Sequence, residues 1–267
     1  MIGSILGDIV GSIYEFHNIK TKDFALFSDR SVYTDDSILT IATAKWILEG
    51  ASKSDSGMYY YRYGANYPQP LGGYGSGFQK WLWQAEDGNF EPYISCGNGS
   101  AMRVGPVGWA FDTIEDVLLY AKCSAECTHN HPEGIKGAQA TALCIFLARK
   151  GLSKEEIRSE ISTRFGYNLN FTCNEIRDTY KGGGNCQDTV PQAIVAFLDG
   201  NNFEDSIRNA ISIGGDSDTL ACITGSIAEA YFGVPEELYT EAFSRLTPHF
   251  KNVVTEFEEK FGSHILK

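Results

Sequence analysis

The chain carries no surplus of positive charge. Its 267 residues include 22 Lys and Arg against 34 Asp and Glu, a formal net charge of −12, and the positives are scattered rather than gathered in a block. Phosphate-rich surfaces would be repelled, which excludes a general nucleic-acid or membrane-surface binder. Long apolar runs are also missing: stretches such as Ala142 to Ala148 are far too short to span a bilayer. The opening residues, Met1-Ile2-Gly3-Ser4-Ile5-Leu6-Gly7-Asp8, lack a basic n-region, and Asp8 interrupts their apolar run, so they do not read as a signal peptide. The seven cysteines are odd in number and irregularly spaced, and several lie in apolar helical segments, which points to reduced, buried thiols in a soluble cytoplasmic protein. There are few alternating β-branched runs, which argues against a sheet protein. No linker, low-complexity tract or repeat divides the chain, and no phosphate-binding P-loop, dinucleotide fingerprint, Ser-His-Asp or Cys-His arrangement is present.

What remains is helical periodicity. At 43% hydrophobic residues the chain can bury a large core. Residues 2–16 place Gly3, Gly7 and Gly11 on one stripe, smooth enough for close approach of a second helix, and Asp8, Ser12 and Glu15 on a polar one. Residues 37–49 carry Ile38, Ile41, Ala42 and Trp46 at helical spacing and stop at Gly50. Thr113-x-x-Asp116 and Ser153-x-x-Glu156 are capping-box starts, Pro132 and Pro235 sit near first helical positions, and Gly151, Gly200 and Gly233 end helices. Residues 189–199, 203–213, 217–232 and 236–246 continue the pattern, while 64–78 read as a Gly/Pro/Tyr loop. The expectation is an all-α, compact multi-helix bundle in a single domain, 1–267.

Two acidic clusters stand out, Thr34-Asp35-Asp36-Ser37 and Gly215-Asp216-Ser217-Asp218-Thr219, each opening into an apolar helical run. Each cluster alone reads as a helix cap, since Asp, Ser and Thr favour that position and acids suit the positive helix end. Together they suggest something positive between them, and hard cations such as Mg²⁺ or Mn²⁺ take oxygen ligands. Two glycine-rich turns accompany them. Ser95-Cys96-Gly97-Asn98-Gly99-Ser100 feeds a helix start suited to a phosphate or pyrophosphate, and Gly72-Gly73-Tyr74-Gly75 offers a tyrosine that could stack on a base or cover the core. A rival arrangement is a zinc site from Cys123, Cys127, His129 and His131, although the spacing is not that of the usual fingers.

These residues carry a resemblance. Gly7-Asp8-x-x-Gly11-x-x-Tyr14-Glu15-Phe16, Thr34-Asp35-Asp36-Ser37, Gly97-Asn98-Gly99-Ser100-Ala101-Met102-Arg103, Thr128-His129-x-His131-Pro132-Glu133 and Gly214-Gly215-Asp216-Ser217-Asp218-Thr219 resemble, in order, the motifs of the ADP-ribosylglycohydrolases. The resemblance implies an orthogonal all-α bundle with two Mg²⁺ or Mn²⁺ ions in a central cleft. It implies Thr34, Asp35 and Asp36 on one side of the ions and Asp216, Asp218 and Thr219 on the other, with Glu15 approaching them. By the same resemblance Gly73, Tyr74 and Gly75 lie beside the distal ribose, Ser95, Gly97, Asn98 and Gly99 hold the diphosphate, and His129 lines the cleft. Cys96 stands where some members carry an aromatic residue. The implied activity is hydrolysis of the ribose C1 bond of an ADP-ribosylated protein side chain or small ADP-ribose conjugate, with Asp35, Asp216 or Glu15 as acid or base. The alternative is a non-catalytic ADP-ribose-binding or structural relative. A binuclear phosphoesterase would usually recruit histidine ligands, and neither acidic cluster contains one.

Overall fold

The computed structural model describes residues 1–266. The chain is all-α, with helices α1 (Ile2–Gly11), α2 (Asp35–Leu48), α3 (Ser56–Asn66), α4 (Ser76–Glu86), α5 (Gly99–Met102), α6 (Gly105–Ala110), α7 (Ile114–Glu126), α8 (Pro132–Arg149), α9 (Lys154–Phe165), α10 (Cys173–Ile176), α11 (Cys186–Asp199), α12 (Phe203–Ser212), α13 (Ser217–Phe232), α14 (Glu236–Ser244) and α15 (Pro248–Phe261). The only named strands among the described residues are two-residue segments, Val234–Pro235 and Ile265–Leu266, paired in parallel. No described helix is long and apolar enough to cross a membrane.

Every residue of α1 is buried, and so are the first fourteen of α13. The two helices touch backbone to backbone along the glycine stripe. A Cβ added at Gly3 would lie 2.3 Å from the Gly225 carbonyl oxygen, at Gly7 2.0 Å from that of Ala221, and at Gly11 2.4 Å from Asp218 Cα. No side chain larger than hydrogen fits at these three positions, so the contact fixes where the end of α1 meets the start of α13.

The helix expected over 2–16 stops at Gly11. The Ser12 hydroxyl donates to the Ile9 carbonyl and Tyr14 N donates to Gly11 O, which turns the chain and leaves Glu15 on a loop. The irregular stretch expected at 64–78 is shorter than the composition suggests: α3 runs through Asn66, α4 begins at Ser76, and only 67–75 lie outside helices. The capping box expected at Ser153 forms in full, whereas at Thr113 only half of it does: Asp116 N donates to the hydroxyl, and the Asp116 carboxylate accepts from that same hydroxyl rather than from the cap backbone. Pro132 opens α8, whereas Pro235 is the residue before α14 rather than its first turn. Two isolated bridges, Thr34 with Leu71 and Gly97 with Asn185, bring the glycine-rich turns beside the starts of α2 and α11.

Replacing Gly7 with alanine should lower the urea midpoint by the equivalent of about 1–3 kcal/mol or more, because an added methyl meets the α13 backbone and cannot be absorbed by a rotamer change. Gly75→Ala, where an added Cβ meets nothing within 4 Å, should stay within about 0.5 kcal/mol of the parent. Equal stability of the two variants would contradict the close helix contact.

Candidate functional site

The starts of α2, α5 and α13, together with the Glu15 loop, converge on one cavity of about 370 Å³. Its wall includes Glu15, Asp35, Asp36, Asp216, Asp218 and Thr219. It also includes Gly73, Gly75, Ser95, Gly97, Asn98, Gly99 and His129. The two clusters, 180 positions apart in sequence, therefore face each other, and the two glycine-rich turns close over them. Leu39, Phe78, Tyr93, Met102, Arg103 and Gly184 complete much of the remaining wall. None of these six was singled out above as a site residue; Gly184 ends the run Gly182-Gly183-Gly184, whose only sequence signal is three consecutive glycines.

Two expected site residues do not line this cavity. Thr34 is fully buried behind it, where its hydroxyl donates to Asp8 Oδ1 at 2.7 Å and accepts from Asp36 N, capping α2. Tyr74 turns inward, donating its hydroxyl to Tyr67 O at 2.9 Å and packing its ring on Phe78. Glycines flank it on both sides, so the Tyr74 ring can fill the core while the backbone at Gly73 and Gly75 stays at the cavity wall.

Asp8 organises the acidic end; in the sequence it stands on the polar stripe of α1 and inside the Gly7-Asp8-x-x-Gly11 motif, without a role of its own. It is fully buried and accepts from Thr34 N at 2.9 Å, Ser37 N at 3.0 Å and the hydroxyls of Thr34 and Ser37. The first turn of α2 is thus tied to α1, and Asp35 and Asp36 are held beside Asp216 and Asp218. Asn98 Nδ2 donates to Asp216 Oδ2 at 2.7 Å, which joins the Ser95–Gly99 turn to the second cluster. Thr219 Oγ1 donates to Asp36 Oδ2 at 3.3 Å, linking the clusters directly.

These contacts leave too few donors for so many acids. Carboxylate oxygens of Glu15, Asp216 and Asp218 lie within 4.8 Å of one another. Like charges at that separation repel by roughly 3 kcal/mol per pair at an effective dielectric of about 20. Three such pairs rival the whole stability of a domain, about 5–15 kcal/mol. Protons or a cation must therefore accompany the cluster. Burial first, and neighbouring carboxylates second, push Asp35, Asp36 and Asp218 well above the usual carboxylate range. Glu15 is raised to about 7 by burial and by Asp216 and Asp8, and Asp8 to about 6 by burial, against hydrogen bonds that pull it down. Asp36 Oδ1 is buried with no hydrogen-bond partner at all. An all-oxygen donor set with an orphaned carboxylate oxygen fits a hard divalent cation.

The wall around His129 has a different character. His129 is 4% exposed, and burial and the Arg103 guanidinium hold its imidazole well below its ordinary pKa, hence neutral. A Cβ added at Gly99 would lie 3.1 Å from His129 Nε2, so the ring edge sits against the Ser95–Gly99 turn. The other members of the possible zinc set do not join it. Cys123 and Cys127 border a separate cavity with Lys53, Tyr59 and Arg62, and His131 caps α8 by accepting from Glu133 N.

A buried acidic cleft between helix starts, faced by a glycine-rich turn, belongs to a class of all-α proteins built around a carboxylate-rich centre. The family model described as ADP-ribosylglycohydrolase matches residues 1–260, and the chain belongs to that family. It is 27% identical to ADP-ribosylhydrolase ARH3 of Mus musculus over 88% of this chain and 83% of that one. It is 28% identical to ARH3 of Homo sapiens over 88% and 85%. It is 26% identical to ADP-ribosylarginine hydrolase Tri1 of Pseudomonas putida over 88% and 70%. Among solved structures, one titled ADP-ribosylglycohydrolase-related protein complex superposes with a TM-score of 0.72 at 21% identity, covering 97% of this chain and 96% of that one, which supports the fold.

The raised carboxylates set the sign of a pH effect. Groups that bind protons more tightly folded than unfolded stabilise the fold at low pH and lose that contribution as pH rises through the folded value. In chelator, the melting temperature should fall between pH 5 and pH 8, spanning Asp8 at about 6 and Glu15 at about 7. Millimolar Mg²⁺ or Mn²⁺ should restore it at pH 8. A melting temperature that rises with pH in chelator would contradict the carboxylate crowding. Replacing Cys123 and Cys127 together with alanine should cost packing energy only and leave the cation response intact, since these thiols border another cavity; loss of stoichiometric zinc together with activity would contradict that.

Proposed function

We propose that the chain is a divalent-cation-dependent hydrolase that cleaves the ribose C1 glycosidic bond of an ADP-ribosylated protein side chain or a related ADP-ribose conjugate. The observation that carries the reading is the convergence of Glu15, Asp35, Asp36, Asp216 and Asp218 on one cavity, with Asp36 Oδ1 buried and unpartnered. The names of the relatives, ADP-ribosylhydrolase and ADP-ribosylarginine hydrolase, supply the substrate class.

Asp35, Asp36, Asp216, Asp218 and Thr219 would hold the cations, as two Mg²⁺ or Mn²⁺ ions. Bound there, the cations would supply Lewis acidity and a template for the vicinal hydroxyls of the ribose. The protein's own groups do the rest. The Ser95–Gly99 turn, with Gly73 and Gly75 opposite, admits backbone close to a ligand, because these positions carry little or no side chain. His129 sits against that turn as a neutral ring able to offer one N–H to an anion. Glu15, half-buried and on a loop, has a proton affinity near neutrality in the cation-free protein, which suits an acid that gives a proton to the atom leaving C1 or a base that takes one from the attacking water. Asp35 and Asp216 are the other candidates for that role. Thr34 acts through Asp8, fixing the first turn of α2.

The test is a panel of ADP-ribosylated arginine, serine, acyl and nucleic-acid substrates with Mg²⁺ or Mn²⁺, read as released ADP-ribose. Turnover of at least one, abolished by chelator and by Asp36→Ala or Asp216→Ala without loss of helical signal, is the expected result. ADP-ribose binding without turnover of any substrate would favour the non-catalytic alternative. Absence of both binding and turnover in the cation-loaded protein would refute the reading.

A further inference from the structure

Arg103 is fully buried, yet among the described residues no carboxylate lies within ion-pair distance of it. Its guanidinium lies 3.8 Å above the centre of the Tyr60 ring, and its Nε and Nη1 have no hydrogen-bond partner. Its Nη2 donates to the Ser124 carbonyl at 2.9 Å and to Thr128 Oγ1 at 2.8 Å, with the Cys127 sulfur a distant third contact at 3.9 Å. An unpaired buried cation is costly, and one held this way calls for a reason.

The reason lies one bond further on. Thr128 Oγ1 is 2.7 Å from His129 Nδ1, and Thr128 is itself fully buried. A threonine hydroxyl has one proton to give. Arg103 can only donate, so the hydroxyl accepts from Arg103. Its own proton then has two acceptors in reach, His129 Nδ1 at 2.7 Å and the neighbouring Cys127 sulfur, and the imidazole nitrogen is much the stronger of the two. If Nδ1 carried the ring proton instead, the buried hydroxyl hydrogen would be left with only the weakly accepting Cys127 sulfur, at a cost of up to about 1–3 kcal/mol. The neutral imidazole therefore carries its proton on Nε2, the atom that faces Gly97 and Gly99.

We propose that Arg103 is a positioning residue that acts through Thr128 to fix His129 as its Nε2–H tautomer, so that a hydrogen-bond donor faces an anionic group, the diphosphate of an ADP-ribose conjugate, at the Ser95–Gly99 turn. The assignment of the ligand rests on the function proposed above; the tautomer does not. The cavity then offers carboxylates for cations and, separately, an oriented N–H, backed by an uncompensated guanidinium, for an anion, with Leu39, Phe78 and Met102 among the apolar parts of its wall.

The tautomer is read by ¹⁵N NMR on the ligand-free protein, with the His129 signals assigned by their loss in His129→Asn. The parent should show a protonated Nε2 and an unprotonated, hydrogen-bonded Nδ1. Thr128→Val should lose that pattern and bind ADP-ribose roughly ten- to a hundredfold more weakly in calorimetry, the effect expected for one hydrogen bond to a charged group. Thr128→Ser should restore both. Arg103→Lys, which keeps the charge but not the fork that reaches Ser124 and Thr128 together, should resemble Thr128→Val; if it does not fold, the Thr128 pair decides. An Nδ1–H tautomer in the parent, or parent affinity in Thr128→Val, overturns the proposal. A parent that binds no ADP-ribose overturns the assigned ligand and the proposed function, while the NMR comparison still decides the relay.

Discussion

Mutual repulsion of buried carboxylates is the constraint on which this structure turns. Glu15, Asp35, Asp36, Asp216 and Asp218 share one cavity wall, with Asp8 directly behind. No fold would hold them there by their own attraction, so the surrounding scaffold has to be stiff. Its stiffness comes from the least polar part of the chain. The glycine stripe of α1 lets the α13 backbone approach to contact, and Gly11 meets Asp218 at the point where the second cluster begins. Asp8, on the same helix, anchors the first turn of α2 through Thr34 and Ser37. One fully buried helix thus sets the spacing of both acidic clusters.

The same arrangement separates the two electrical halves of the cavity. Carboxylates gather where helices α2 and α13 begin. Arg103 and His129 line the wall beside the glycine turn, with Thr128 buried behind them, and that turn is joined to the carboxylates through Asn98, which donates to Asp216. Under the proposed function, a ligand carrying both polyol and phosphate would meet the carboxylate cluster with one part and the glycine turn with the other. The chain's overall negative charge does not oppose this, because what an anion meets in the cavity is local potential rather than net charge.

Much of this was legible in the sequence, for particular reasons. Helix starts such as Thr113 and Ser153 are local, since the capping side chain and the amide it satisfies are three residues apart. The all-α class followed from such signals, and the paired acidic clusters were visible as repeated chemistry. What escaped depended on partners distant in sequence. Whether Thr34 faces the cavity is decided by Asp8, 26 positions earlier. Tyr74 is a nearer case: its hydroxyl finds Tyr67 O seven positions earlier, but across an irregular turn that carries no helical or strand periodicity. Arg103 stood inside a recognised motif, but its link to Thr128 spans 25 positions and leaves no periodic trace. Helix α15 begins with Thr247 and Pro248, the same kind of local signal as at Pro132.

The central claim is that the two acidic clusters form one cation site. Diffraction from crystals grown with Mn²⁺, recorded at the manganese edge, tests it most directly. The account predicts anomalous density in the cavity within coordination distance of carboxylates from both clusters, Asp36 on one side and Asp216 or Asp218 on the other. Anomalous density confined to another part of the molecule, or an Mn²⁺-saturated crystal with none between the clusters, would contradict it.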